Sequence, residues 1–127
     1  MTHNEVSAMV VDVALDIHRR LGPGLLESVY LAVLGHELTK RGLRVEREVA
    51  IPVKWDGLLM EIGFRADLIV EQIVLIELKS VEAIAPAHKK QVLTYLRLTK
   101  LQLGLLLNFG AALMKDGIHR IVNGLKE

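Results

Sequence analysis

The sequence predicts an α/β fold, a mixed β-sheet flanked by helices in the element order ααβββαββ. Three observations carry that expectation. Apolar residues recur every three or four positions up to about residue 41, and every second position from Val45. Two later stretches, IVLIELK (73–79) and LGLLLNF (103–109), are the nearly continuous apolar runs that a strand covered on both faces requires. Between them, a segment opening on Pro86 interleaves basic and apolar residues in the manner of a helix.

The elements follow in order. Val6, Val10, Val13, Ile17 and Leu21 form the stripe of a helix over about residues 4–21, and Thr2 and Glu5 have the spacing of a capping box. Gly22-Pro23-Gly24 ends it, and a second helix runs from about Leu25 to Arg41, with Gly42 as its stop. Val45, Val49, Ile51 and Val53 share one parity, with Arg47 as the exception, and Asp56-Gly57 marks a hairpin turn. Strands are expected at Leu58–Val70 and Ile73–Lys79, a third helix from Pro86 to about Thr99, and strands at 103–109 and Gly117–Val122.

A length of 127 residues suits one domain spanning 1–127. The 51% hydrophobic content excludes a disordered chain, and the lack of cysteine excludes a disulfide scaffold or a thiolate metal site. A cytoplasmic location is the expectation, since no cysteine is used and acids interrupt the apolar residues of the first segment, unlike a signal peptide. No membrane partner is expected either, because the greasiest stretch, Leu103 to Met114, is too short to span and is broken by Gly104, Asn108 and Gly110. The net charge of +1 conceals an uneven distribution. Ala83 to Lys115 holds Lys89, Lys90, Arg97, Lys100 and Lys115 and no acid, so it can face phosphates or simply form a solvated helix face. His3, His18, His36 and His119 lack zinc-site spacing, and LGPG lacks the context of a phosphate-binding loop.

The acids are more telling. Asp67 lies inside FRADLIV, and Glu77 and Lys79 lie inside IVLIELKS, where strands should be apolar. Burying a carboxylate costs several kcal/mol, on the order of 3–5, unless a partner compensates. Glu77 and Lys79 are two apart and share a strand face, so two carboxylates and an ammonium on adjacent strands can hold a hard cation such as Mg²⁺. A buried ion pair is the competing reading. A two-residue Glu71-Gln72 turn would put Glu77 on the wrong face, so a shared site needs a three-residue loop or a bulge. Asp67 is then expected opposite or diagonal to Glu77, with Arg65 and Lys79 on the same side.

These residues together with GLLESVY (24–30) resemble the GxxExxY family, in the RecB-like branch of the PD-(D/E)xK nuclease superfamily. The likeness extends from about Asp16 to Val122 through LGPGLLESVY, FRADLIV, IELKSVEAI and LLLNFG. It implies a restriction-endonuclease-like fold. Asp67 resembles the superfamily aspartate, with Ala66 where its name has proline, and Glu77 and Lys79 resemble the (D/E)xK pair. Glu27 resembles the helix glutamate that reaches toward the metal, while Gln91 and Tyr95 resemble the Q-x-x-x-Y helix motif that shapes the site and contacts DNA.

The resemblance therefore implies catalytic Glu27, Asp67, Glu77 and Lys79, with Mg²⁺ or Mn²⁺ held by Asp67, Glu77 and Glu27. Gln91, Tyr95, Lys89, Lys90, His88 and Tyr30 are the candidate substrate contacts, although a histidine so placed is more often a surface or capping residue and Tyr30 more often a core or rim ring. The expected activity is metal-dependent hydrolysis of phosphodiester bonds, in DNA rather than RNA. Two other readings stay open: a nucleic-acid-binding module, and a protein-interaction subunit or homodimer, each without autonomous nuclease activity. The chain carries no base-reading module, so a larger partner would supply specificity. The first helix and Leu101–Met114 offer apolar surface for a dimer.

Overall fold

A computed structural model describes residues 1–126. Its elements are α1 (His3–Leu21), α2 (Glu27–Lys40), β1 (Val45–Trp55), β2 (Leu58–Val70), β3 (Val74–Lys79), α3 (Pro86–Thr99), β4 (Leu103–Asn108) and β5 (Ile118–Val122), with a 3₁₀ turn at Met114–Gly117. The strands form one mixed sheet in the order β1-β2-β3-β4-β5, in which only β3 and β4 are parallel. Helices flank it, consistent with a restriction-endonuclease-like fold. The crossover that parallel pairing demands is α3.

One face of the sheet is sealed by α1 and α2. Val6, Val10, Val13 and Ile17 of α1 and Leu34 and Leu38 of α2 pack on Val74, Ile76, Leu78, Leu105 and Leu107. Thr2 and Glu5 form the expected capping box, each side chain accepting the other's backbone N–H at 3.1 and 3.0 Å. At the far end His18 is buried, its Nε2 2.8 Å from the Ala111 carbonyl oxygen. The other face carries α3, whose Val92 and Leu96 lie on Leu75, Leu106, Ala66 and Ile69.

Two local departures from the sequence expectation matter for the site. First, α2 starts at Glu27 and not at Leu25. The Tyr30 hydroxyl accepts the Leu25 N–H at 3.1 Å and donates to the Gly22 carbonyl at 2.6 Å, and Ser80 Oγ donates to the Leu25 carbonyl at 2.7 Å. Those bonds hold Leu25 and Leu26 out of the helix, which leaves Glu27 as the first helical residue.

Second, the β1–β2 ribbon changes face part-way along. Val45 joins the α1/α2 core and Arg47 lies under Gly35 of α2, whereas Val49, Ile51, Phe64 and Ala66 lie on the α3 side. The switch occurs at Glu48, whose φ is 48°, and at its partner position Asp67, with no change of register across the pair. A single parity for Val45 through Val53 is thus corrected: a left-handed residue rotates the strand. Further out, β2 has two residues more than β1 between the pairs Ile51–Phe64 and Val53–Met60. Gly63 permits this crowding, since a Cβ there would lie 2.2 Å from Val53 Cγ2.

The apolar surface expected to serve a dimer is largely internal. All of β4 is buried, and the stripe of α1 lies in the core.

Candidate active site

The β2–β3 connection decides where the acids lie. Glu71 and Gln72 both have positive φ, 52° and 58°, and Ile73 donates its N–H to the Val70 carbonyl at 3.1 Å, as in a type I′ turn. Pairing then begins at Val70–Val74, which leaves Ile73 as an extra residue. The expected odd offset is therefore present. Continuing Ile69–Leu75 and Leu68–Ile76 by one step sets Asp67 opposite Glu77.

The ladder opens at that step. Asp67 Oδ2, not a backbone carbonyl, accepts the Leu78 N–H at 2.8 Å. Because β2 changes face at Asp67, its carboxylate stands at the seam between the two sides of the sheet, with Glu77 on the α3 side and Leu78 on the other. Arg65, which alternates with Phe64 and Ala66, points away from α3. The expectation that it shares a side with Lys79 is corrected by the same switch.

Glu77 is 7% exposed, and its Oε1 has no hydrogen-bond partner among the described residues. Burial, followed by the side-chain hydrogen bond and charge of the adjacent Asp67, pushes the Glu77 carboxyl up to about 9, against smaller opposing effects of the Asp67 backbone and then Lys79. In the metal-free protein at neutral pH the Glu77 carboxyl is thus protonated. Lys79 follows on the same face and is half-buried, and among the described residues it forms no ion pair with either carboxylate. A closed acid–lysine salt bridge is not how this cluster is balanced.

Tyr95 completes the α3 side. Its ring stacks on Phe64 with centroids 3.8 Å apart, and burial together with the charges of Glu77 and Asp67 raises its phenol pKa. Gln91, one turn earlier, is exposed on the same flank. His88 caps α3, its Nδ1 accepting the Ala85 N–H at 3.0 Å. Lys89 lies on another flank, about 200° around the helix from Gln91, where its charge adds to burial in lowering the His119 pKa. Lys90 is exposed. Lys89 is therefore set apart from the acid pair.

On the α2 side, Glu27 at the helix N-terminus shares a cavity of about 190 Å³ with Ser28, Leu31, Glu48, Asp67 and Leu78. A larger cleft of about 740 Å³ opens on its other flank, between residues 23–28 and 80–82. Tyr30 is fully buried and stacked on Phe109 at 4.5 Å. Its role is to pin the Gly22–Leu25 loop behind Glu27, and it presents no surface to a substrate.

Asn108 is the positioning residue that the sequence reading missed. Its side chain accepts the N–H groups of Val81 and Gly110, both at 3.0 Å, and donates to the Val81 carbonyl at 2.9 Å. The Phe109 N–H donates to the Lys79 carbonyl at 2.9 Å. Together these bonds fix the chain just beyond Lys79. The signal was a lone amide at the end of an otherwise apolar strand.

The donor set fits a hard divalent ion. Two adjacent carboxylates, one with an orphaned buried oxygen, are the oxygen ligands that such an ion prefers. No three acidic or imidazole side chains among the described residues form a metal-holding group, so water would fill the remaining coordination positions. Among the described residues no helix is long and apolar enough to cross a membrane.

No curated protein and no solved structure matches the chain. A family comparison matches residues 4–121 to the PD-(D/E)XK nuclease superfamily, whose members generally use divalent metals. That span contains both central strands, the helix bearing Glu27 and the whole of α3. With the mixed sheet and the paired carboxylates at its seam, the match identifies the chain as a member of the PD-(D/E)XK nuclease superfamily.

Proposed function

We propose that the chain is a Mg²⁺- or Mn²⁺-dependent phosphodiesterase that hydrolyses DNA, of the GxxExxY type within the RecB-like branch. The observation that carries this reading is the Asp67–Glu77 pair, opposed across β2 and β3, with an orphaned Glu77 oxygen and Lys79 two residues along the same face. Asp67 and Glu77 hold the ion and Glu27 supports it from the head of α2. When bound, the ion supplies Lewis-acid polarisation of the phosphoryl group and makes water a stronger nucleophile. Lys79 orients that water and offsets the charge that develops on the phosphoryl oxygens. Tyr95 and Gln91 line the α3 side of the path, with Lys90 available to a phosphate; Asn108 keeps the strand end that carries Lys79 in place.

The test is purified protein with Mg²⁺ or Mn²⁺ on single-stranded, duplex and branched DNA, and on RNA. Cleavage is expected on DNA and lost in Asp67→Ala and Lys79→Ala. Cleavage that survives either substitution sinks the proposal.

A second reading, a nucleic-acid-binding or protein-interaction module without autonomous cleavage, draws on the lack of a preformed three-ligand group among the described residues. DNA binding that weakens with salt, without turnover in either metal, would favour it.

A further inference from the structure

We propose that Glu48 is a positioning residue for the divalent ion, its carboxylate holding a hydrated ion through water from the solvent side of Asp67. This rests on the metal-dependent reading above. Glu48 occupies the β1 position opposite Asp67, between the pairs Arg47–Leu68 and Val49–Ala66. Its φ of 48° is one that side chains other than glycine rarely adopt, and glutamate lacks the short polar group that lets asparagine and aspartate visit it. Glycine or asparagine would make the same bend with less strain, so the bend alone does not explain an acid here.

What the acid gains is its position. The Glu48 side chain is exposed, forms no hydrogen bond or ion pair among the described residues, and borders the 190 Å³ cavity with Asp67 and Glu27. Exposed Glu27 and Glu48, half-buried Asp67 and buried Glu77 thus grade the carboxylates from solvent to interior. Because no three of them form a direct ligand group, Glu48 acts through the water that the ion retains.

The experiment is calorimetric titration of Mn²⁺ into the full chain, as wild type, Glu48→Gln, Glu48→Asn, Glu48→Asp and Asp67→Asn. Both amide variants should bind Mn²⁺ about 10- to 100-fold more weakly, and Glu48→Asp less so. The metal-free melting temperature of Glu48→Asn should be no lower than that of wild type, because asparagine suits the backbone there. Wild-type affinity in both amide variants, alongside loss in Asp67→Asn, overturns the role of Glu48 and leaves the Asp67 site standing. Failure of the wild type to bind Mn²⁺ overturns the metal reading, and this inference with it.

Discussion

The two faces of the sheet are packed by different means. Twenty buried apolar residues from α1, α2, β2, β3, β4 and the connections at Leu43, Phe109 and Met114 close one face, and His18 there is bonded to Ala111. Only six buried apolar residues close the other, two of them on α3 itself and four on the sheet beneath it. A single helix does not cover the sheet; Glu77 and Lys79 lie on the strand end left beside it, and Tyr95 of α3 lines that side. Stability is concentrated on the first face, whereas the carboxylates stand at the seam, with Asp67 and Glu27 bordering a cavity on the α2 side and Glu77 on the α3 side. Burial without a partner is costly, so a protein can keep an orphaned carboxylate only where little packing depends on it.

If that division is right, substitutions on the two faces should fail in different ways. The largest effect belongs to Asp67→Asn, which should lower cleavage on the order of a thousandfold, about 4 kcal/mol in the barrier. Circular dichroism should show the fold intact. Full activity in that variant would remove the chemistry from the Asp67–Glu77 seam altogether.

Next is Glu77, whose folded pKa lies far above that of an unfolded glutamate. Between about pH 4.5 and 9 the folded protein holds a proton that the unfolded chain does not, so metal-free stability falls as pH rises through that window. Glu77→Gln should remove up to about 4 kcal/mol of the loss between pH 5 and pH 8, at about 1.4 kcal/mol per pH unit. Denaturant melts at the two pH values check this. The ion competes with the same proton, so Mn²⁺ affinity should strengthen with rising pH.

The adjacent residues Leu105 and Leu106 sharpen the comparison, since both are buried and face opposite sides of β4. Either change to alanine should cost about 2–5 kcal/mol of stability. Only Leu106→Ala, beneath Val92 and Leu96, should also weaken Mn²⁺ binding by the folded protein. Equal effects on metal binding would break the distinction. The smallest effect is that of Tyr30→Phe, which removes the hydroxyl bonds to Leu25 and Gly22 and should cost about 1–2 kcal/mol. Its signature is faster amide exchange in residues 22–26 without loss of Asp67-dependent metal binding.

The sequence by itself determined the element order, the mixed sheet, the capping box of α1 and the identity of the acids. Each follows from local periodicity, turn chemistry or a charge in an apolar strand, and those signals survive folding because they are short-ranged. The odd β2–β3 offset was legible as a requirement, although Glu71-Gln72 alone suggested the register that forbids it. Only the tertiary structure decided that Ile73 is the added residue, that β1 and β2 change face at Glu48 and Asp67, and that Tyr30 and Asn108 hold the loops around the site. The change of face, the Asn108 bonds and the packing of the Tyr30 ring on Phe109 depend on contacts between segments distant in sequence. A strand's facing is set by what packs on it, and a buried hydroxyl or amide finds its partner only when another chain segment is brought beside it.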